Sequence, residues 1–343
     1  MTTDIATHDR SPRLLGSTGL RVSPLTLGTM TFGDGAWRAG EDEARAIFHR
    51  YLESGGNSID TADVYGGGRS EELLGALIAE AGVRDSLVLA TKASAPTHPE
   101  DPNARGNGRK HLISALEGSL RRLRTDYVDL FWLHLWDGIT PVAEVISTLD
   151  SMVRGGKARA IGLSNVPAWY ASSAASLAHH QGLEPPAALQ LEYSLLERTA
   201  ETEHVPAAQH HGMSLVPWSP LASGFLTGKY TRKDIDATTG GRLSPGADYP
   251  DRREHDEHDW SVLDALIAAA ERLGCTPAQA ALAWVVRQPT VATTIIGATT
   301  VTQLKTNLAA TAIELDDETV SALNAASRRQ AGSPYRLFTT CRP

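Results

Sequence analysis

The feature that most constrains the fold is the alternation of two kinds of segment along the 343 residues of the chain. Short apolar runs with β-branched residues, typical of buried strands, are separated by stretches with the apolar spacing of helices. Eight such runs begin at Leu25, Ser58, Leu87, Val128, Ala160, Ala188, Ser214 and Thr293. This alternation predicts parallel strands joined by crossover helices.

The helical spacing predicts one helix after each of the first six strands, at 41–54, 70–81, 109–123, 141–154, 167–179 and 201–210. A long polar stretch, about 221–259, follows the seventh strand and exceeds an ordinary connection. Four more helices are predicted at 260–273, 277–288, 301–310 and 316–327.

Eight strands with crossover helices predict a closed (β/α)₈ barrel, the TIM barrel of the α/β class, as a single domain over residues 1–343. Residues 1–12 are expected to form a flexible N-terminal arm and 328–343 a C-terminal tail near the active-site mouth. The alternative is an open, doubly wound sheet. Its dinucleotide-binding form needs GxGxxG directly after the first strand, and no glycine cluster here has that spacing.

Composition restricts the partners and the compartment. The net charge is −8, and no basic patch is interleaved with aromatic residues, so neither nucleic acid nor an anionic membrane is an expected partner. Cys275 and Cys341 lack CxxC spacing, and no apolar run approaches the ~18 residues of a spanning helix. We therefore expect a cytoplasmic protein. Its oligomeric state is not determined by the sequence.

Four polar side chains fall at or just after the carboxyl ends of successive predicted strands: Asp60, Tyr65, Lys92 and His134. The active site of a (β/α)₈ barrel is built at these ends, so the four are expected to meet. A phenol has a reference pKa of about 10, and a neighbouring ammonium group stabilises the phenolate. Asp60 would hold Lys92 charged, and His134 would donate to a substrate oxygen. This combination predicts acid catalysis on a carbonyl group.

These residues lie within segments that resemble the signature motifs of the aldo-keto reductase superfamily, over roughly residues 14–327. The segments are GGNSIDTADVYGGGRSEELLG, SLRRLRTDYVDLFWLHLWD, GKARAIGLSN, LQLEYSLLER and VPWSPLASGFLTGKY. The chain is most similar to the bacterial branch that resembles aryl-alcohol dehydrogenases and potassium-channel β subunits. The resemblance implies reduction of an aldehyde or ketone with NADPH, with Tyr65 as the general acid of a catalytic tetrad.

The resemblance also implies the residues that bind the cofactor. Ser164, Asn165 and Gln190 match the groups that hydrogen-bond the nicotinamide carboxamide, and Trp218 matches the aromatic residue stacked beneath the ring. The remaining cofactor positions implied are Gly28, Thr29, Met30, Asp60, Ser219, Pro220, Leu221, Ser223, Gly224, Lys229, Gly297, Thr299, Gln303 and Asn307. Many relatives carry Arg or Lys where Ala298, Thr299 or Thr300 stand here. NADPH is the expected cofactor, and NADH is the alternative that the sequence does not exclude.

The expected substrate pocket is aromatic and contains Phe32, Trp37, Trp132 and Trp136. Trp132 has the same strand parity as His134, and the other three lie in loops at the same mouth. Such a pocket suits aromatic or bulky carbonyl substrates. For each of the four, packing in the core is the alternative.

Three other functions are alternatives to the reductase. The channel-subunit resemblance allows an NADPH-binding regulatory module with vestigial activity. A glycoside hydrolase would need two carboxylates, for which Asp60 and Glu192 are the available pair, but Asp60 already has Lys92 as its expected partner. The GFLTGKY segment is no P-loop, because its glycines are too close and Tyr230 follows the lysine. The histidine pairs and the run 255–258 contain no HExxH motif, so we predict no metal site.

Overall fold

The computed structural model describes residues 11–35, 37–98, 100–232, 242–243, 254–330 and 332–338. Most of the expected N-terminal arm, about half of the long polar stretch after the seventh strand, and the end of the tail with Cys341 lie outside these ranges.

Eight parallel strands form a nearly closed barrel. A small antiparallel hairpin of β1 (Arg13–Leu14) and β2 (Arg21–Val22) comes first. The barrel strands are β3 (Leu25–Gly28), β4 (Ser58–Asp60), β5 (Val88–Ala93), β6 (Val128–Leu133), β7 (Ala158–Ser164), β8 (Ala188–Glu192), β9 (Ser214–Trp218) and β10 (Thr294–Ile296). They follow chain order from β3 to β9, and β10 lies beside β3.

The last seam of the barrel lies between β9 and the residues just before β10. The Leu215 amide donates to the Thr290 carbonyl at 2.8 Å, and the Ala292 amide donates to the Leu215 carbonyl at 3.1 Å. The predicted (β/α)₈ barrel is therefore confirmed, with each of the eight predicted apolar runs in a barrel strand.

The helices surround this sheet. They are α1 (Glu41–Glu53), α2 (Arg69–Ala81), α3 (Arg109–Leu123), α4 (Val142–Arg154), α5 (Ala168–Gln181), α6 (His204–His211), α7 (Glu257–Leu273), α8 (Pro277–Val286), α9 (Val301–Leu308), α10 (Asp317–Ser327) and α11 (Tyr335–Phe338). α6 begins later than predicted, because residues 199–201 form a separate 3₁₀ helix. α7 begins earlier, because the Asp256 side chain accepts the Asp259 amide and caps the helix. Among the described residues, no helix has both the length and the apolar character needed to cross a bilayer.

The larger hydrophobic core is formed by buried residues of the strands and of the surrounding helices. A second, smaller core fills the barrel from its amino-terminal end. Leu15 and Val22 of the hairpin pack there with interior residues of the strands, among them Trp132. The Trp132 ring lies against Gly162, where a Cβ atom would come within 2.3 Å of it. Because this end is filled by side chains, the open space of the barrel lies at the carboxyl ends of the strands.

Candidate active site

A cavity of about 1100 Å³ lies at the carboxyl ends of the strands. Most of the residues predicted for the site line it, although they come from distant parts of the chain. The predicted residues in its wall are Gly28, Met30, Trp37, Asp60, Tyr65, His134, Asn165, Gln190, Trp218, Ser219, Pro220, Leu221, Ser223, Gly224, Lys229, Gly297, Thr299, Gln303 and Asn307.

The ammonium group of Lys92 is the centre of the cluster formed by the four residues predicted to be catalytic. It is fully buried and donates to Oδ1 of Asp60, to the Thr61 carbonyl at 2.9 Å and to the Tyr65 hydroxyl at 3.1 Å. An ammonium group has three donors, so all of them are used. Gln190 completes the cluster by donating from Nε2 to Oδ2 of Asp60 at 3.0 Å.

This environment keeps Lys92 charged. Burial disfavours the ammonium form, but the negative charge of Asp60 and the Tyr65 oxygen outweigh burial, and the pKa of Lys92 is raised. A permanent cation therefore lies against the Tyr65 oxygen, where it stabilises a phenolate.

His134 forms the opposite side of the cluster. Its ring meets the Tyr65 ring edge-on, with centroids 6.0 Å apart and an interplanar angle of 84°. Burial, together with repulsion from the Lys92 charge, lowers the pKa of His134 to about 3. The imidazole is therefore neutral at physiological pH and can donate a hydrogen bond without carrying charge.

We expect the His134 ring to show no protonation between pH 5 and pH 9, because its pKa of about 3 lies below this range. The ring signals of ¹⁵N-histidine-labelled protein, assigned with His134→Gln, would be followed by NMR over that range. A His134 titration step within this range would contradict the expected pKa, and a midpoint near or above pH 7 would show that the ring is largely charged at neutral pH.

A hydrogen-bonded network links His134 to Trp218. The Asn165 side chain donates from Nδ2 to the His134 carbonyl at 3.1 Å and to Oγ of Ser164 at 2.9 Å, and its Oδ1 accepts from Nε1 of Trp218 at 3.0 Å. Asn165 adopts a left-handed backbone (φ 50°), which asparagine tolerates better than most residues. The network holds the indole ring of Trp218 in the cavity wall. Both Nδ2 and Oδ1 of Asn165 are hydrogen-bonded to other groups of the protein in this arrangement.

The loop after β9 has an unusual backbone conformation. Ser219, Ala222, Ser223 and Gly224 all have positive φ, between 47° and 95°. Such strain in non-glycine residues clusters at functional sites, and backbones of this kind form concave nests of amide groups that bind anions. Lys229 also lines the cavity beside this loop. The loop therefore has the chemistry of a phosphate site.

A second cation, Arg242, lies in the cavity wall. Apart from the length of the loop that carries it, no feature of the sequence predicts this position. Its guanidinium lies 3.5 Å from the position that a Cβ atom on Gly297 would occupy, and 5.2 Å from the Trp37 ring centroid. Gly297 follows β10 at the start of the segment with Thr299 and Gln303, whose side chains bond each other at 3.0 Å. A positive charge therefore borders the end of the cavity where residues 298–300 carry none.

The structure places several predicted residues behind or outside the cavity wall. Thr29, Ser164 and Lys92 are completely buried. Phe32 and Trp132 belong to the two hydrophobic cores and not to the pocket, because their side chains fill space beneath it. Trp136 is 38% exposed and packs edge-on against Trp169 at 5.7 Å on the rim.

Cavity residues without a sequence prediction come mostly from loops and from the ends of β8 and β10. They include Thr31, Leu135, Glu192, Thr227, Thr276, Ala278, Ile295, Ile296, Ala298, Thr302 and Thr306. Their residue types are common in cores and loops, so nothing in the sequence marks them.

The C-terminal tail contacts the first turn of α7 and the loop after β8. Arg329 donates to Asp259 at 2.6 Å, and Tyr335 bonds Glu203 in the loop after β8. Asp259 also bonds His255, whose ring stacks on Phe225 at 3.7 Å, so part of the run 255–258 is buried and structural. Within the residues that the structure describes, no three metal-type side chains lie together.

Comparison with known proteins gives a consistent result. A family model described as "Aldo/keto reductase family" matches residues 24–328. The chain is 39% identical to "Uncharacterized oxidoreductase YrpG" of Bacillus subtilis, over 90% of this chain and 94% of that protein. It is 37% identical to "Probable voltage-gated potassium channel subunit beta" of Oryza sativa, over 86% and 89% respectively. It is 32% identical to "Aryl-alcohol dehydrogenase [NADP(+)]" of Phanerodontia chrysosporium, over 96% and 89%.

Proposed function

Because the chain belongs to the aldo/keto reductase family, we propose that it reduces an aldehyde or ketone to an alcohol with NADPH, and that Tyr65 is the general acid. The observation that carries the proposal is the buried Lys92 ammonium, which bonds both Asp60 and the hydroxyl of the cavity residue Tyr65. This arrangement prepares a phenol to release its proton into the cavity.

Each side chain of the cluster has a separate task. The Tyr65 hydroxyl and a ring N–H of the neutral His134 both donate to the substrate oxygen. Negative charge develops on that oxygen, and these donors stabilise it. Tyr65 then releases its proton to the oxygen, and Lys92 stabilises the phenolate that remains. Asp60, held by Gln190, balances the buried positive charge. When bound, a reduced nicotinamide supplies the hydride.

The residues in the cavity wall fit a nicotinamide dinucleotide. Trp218 offers a flat ring, and Gln190 keeps its carbonyl oxygen for the carboxamide, since only its Nε2 is bonded to Asp60. Asn165 would exchange one of its present bonds to bind the same group. The positive-φ loop with Lys229 suits the pyrophosphate, and Arg242 suits a phosphate on the adenosine ribose. The NADP(+) in the name of the fungal relative supports NADPH.

We propose an aromatic or bulky carbonyl as the substrate class, in the cytoplasm. Trp37 and Trp218 both line the cavity, and flat apolar walls favour flat apolar ligands. The name of the aryl-alcohol dehydrogenase, a relative across most of its length, supports the same class. The sparse cysteines of the chain support the compartment.

Arg242→Ala is expected to weaken NADPH binding about 10- to 100-fold and NADH binding far less, because a charge-assisted hydrogen bond contributes about 1.5–3 kcal/mol. Fluorescence titration with each cofactor measures the change. Lys305→Ala is the matched control, since it removes an exposed cation from α9 that does not line the cavity. Equal losses for both cofactors would assign Arg242 to the pyrophosphate instead.

The proposed function is tested by titrating the protein with NADPH and NADH and then following NADPH absorbance with a panel of aromatic and aliphatic aldehydes and ketones. We expect tight NADPH binding and turnover of aromatic aldehydes. The similarity to potassium-channel β subunits supports a second candidate, a regulatory module that binds NADPH and controls a partner. Saturable NADPH binding with no turnover across the panel would favour this second candidate.

A further inference from the structure

A second buried charged cluster lies directly behind the catalytic one. Glu71, on α2, is fully buried; its Oε1 accepts from the Thr91 hydroxyl at 2.5 Å and its Oε2 from the Arg122 guanidinium at 2.7 Å. Asp63 is 3% exposed, and no side chain among the described residues forms a hydrogen bond with its carboxyl oxygens; the amide of the adjacent Val64 interacts with them and favours the anion. The mechanism proposed above makes no use of Asp63.

Asp63 is tied to the catalytic residues through the backbone. Its amide donates to the Lys92 carbonyl at 3.1 Å, and two residues earlier the Thr61 carbonyl accepts from the Lys92 ammonium at 2.9 Å. Two residues later in the chain is Tyr65, whose hydroxyl bonds the same ammonium. The segment 61–65 is thus fastened to Lys92 at three points, and Asp63 lies in the middle of it.

The charges around Asp63 do not balance when every group is ionised. Glu71 from α2 repels its anion, whereas Arg122 from α3 and Lys92 from β5 attract it. Arg122 is already bonded to Glu71, and Lys92 is bonded to Asp60 and Tyr65. Two carboxyl groups therefore compete for Arg122, and Asp63, which has no hydrogen bond to a side chain, is the one that keeps a proton.

The titration of Asp63 falls in the physiological range. Burial, followed by repulsion from Glu71, raises the pKa of Asp63 to about 7. Its charge therefore changes near neutral pH, close to the ammonium that acts on Tyr65.

We propose that Asp63 is a positioning residue whose ionisation weakens the stabilisation of the Tyr65 phenolate by Lys92. The Tyr65 phenol therefore stays protonated to higher pH, and carbonyl reduction stays active over the same range. The proposal rests on the proposed function. When Asp63 is ionised, its negative charge offsets part of the positive potential of Lys92, and the Tyr65 phenolate costs more to form. The phenol form donates the proton in reduction, and the phenolate form accepts it in alcohol oxidation.

Asp63→Asn tests this inference, because it removes the charge and keeps the shape. We expect the alkaline limb of kcat/KM for aldehyde reduction and the rising limb for alcohol oxidation both to move to lower pH, by about one unit, as expected for a unit charge acting through partly shielded protein. Asp126→Asn is the control, since it makes the same charge change at an exposed position before β6. It should leave both limbs in place.

Measuring both limbs of the pH profiles distinguishes an electrostatic effect of Asp63→Asn from a general loosening of the site. A loosened site lowers both rates without moving both limbs in the same direction. Unchanged limbs in an Asp63→Asn protein that turns over would overturn the inference and leave the proposed function standing. No turnover by the wild type would instead overturn the proposed function.

Unfolding by urea tests the charge of Asp63 without using activity. The pKa of Asp63 in the folded state is raised above the ordinary aspartate value of 3.8, so the folded state holds a proton that the unfolded state releases. Stability from this group is complete below the unfolded pKa and is lost as pH rises through about 7. The urea midpoint of Asp63→Asn minus that of the wild type should therefore increase as the pH rises from 5.5 to 8.5. A constant difference across this range would mean that Asp63 does not titrate there, and would overturn the inference.

Discussion

Tyr65→Phe is expected to lower kcat for carbonyl reduction by about 10²–10⁴-fold, the usual contribution of a general acid, and to leave NADPH affinity close to that of the wild type. The substitution removes only the hydroxyl that bonds Lys92 and lines the cavity. The ring that meets His134 edge-on is kept, so the shape of the site is preserved.

Single-turnover absorbance of NADPH would measure the chemical step of Tyr65→Phe, and fluorescence titration would measure binding. Tyr127→Phe is the matched control, because its hydroxyl bonds Asp85 near the amino-terminal end of β6, far from the cavity wall. More than a tenth of wild-type turnover in Tyr65→Phe would show that another group donates the proton.

Lys92→Met is expected to abolish most of the activity and also to destabilise the fold by about 3–5 kcal/mol. The Lys92 and Asp60 side chains are only 1% and 4% exposed, and the substitution leaves the Asp60 carboxylate buried without its cation. The activity falls because nothing then stabilises the Tyr65 phenolate.

A double variant separates these two effects. Asp60→Asn combined with Lys92→Met removes both charges, so it should recover most of the lost free energy of unfolding, because replacing both partners of a buried pair is often nearly neutral. It should not recover activity. Urea unfolding and steady-state turnover are the two measurements. Recovered turnover in the double variant would show that the reaction does not need the ammonium group.

The proximity of Asp60, Lys92, Tyr65 and His134 could be predicted from the sequence, because these residues lie at or just after the carboxyl ends of strands. Once Asp60, Lys92 and His134 are assigned to the ends of successive strands of a parallel barrel, the geometry of the sheet brings them to one face. The order and parallel pairing of these strands are those expected from the pattern. The network from His134 through Asn165 to Trp218 depends on side-chain rotamers, which no strand pattern determines.

Long-range packing accounts for the residues that the sequence did not reveal. Trp132 has the parity of a pocket residue, yet it fills the barrel interior, because Gly162 leaves room for its ring and the hairpin residues Leu15 and Val22 pack nearby. Arg242 comes from a long loop without periodicity, and only the fold places its charge beside Gly297. The unbalanced charge at Asp63 arises because α2 and α3 bring Glu71 and Arg122 together behind it.

The periodicity of apolar residues in the sequence predicted the class of the fold and the set of side chains at the strand ends, because this periodicity involves only residues close together in the chain. The resemblance to a family rested instead on several signature segments of the sequence. Only the tertiary structure decided which of those side chains face the cavity, which cation borders its far end and which buried carboxyl group lacks a side-chain partner. These properties depend on burial and on distances between residues far apart in the chain, and only folding of the barrel fixes these distances.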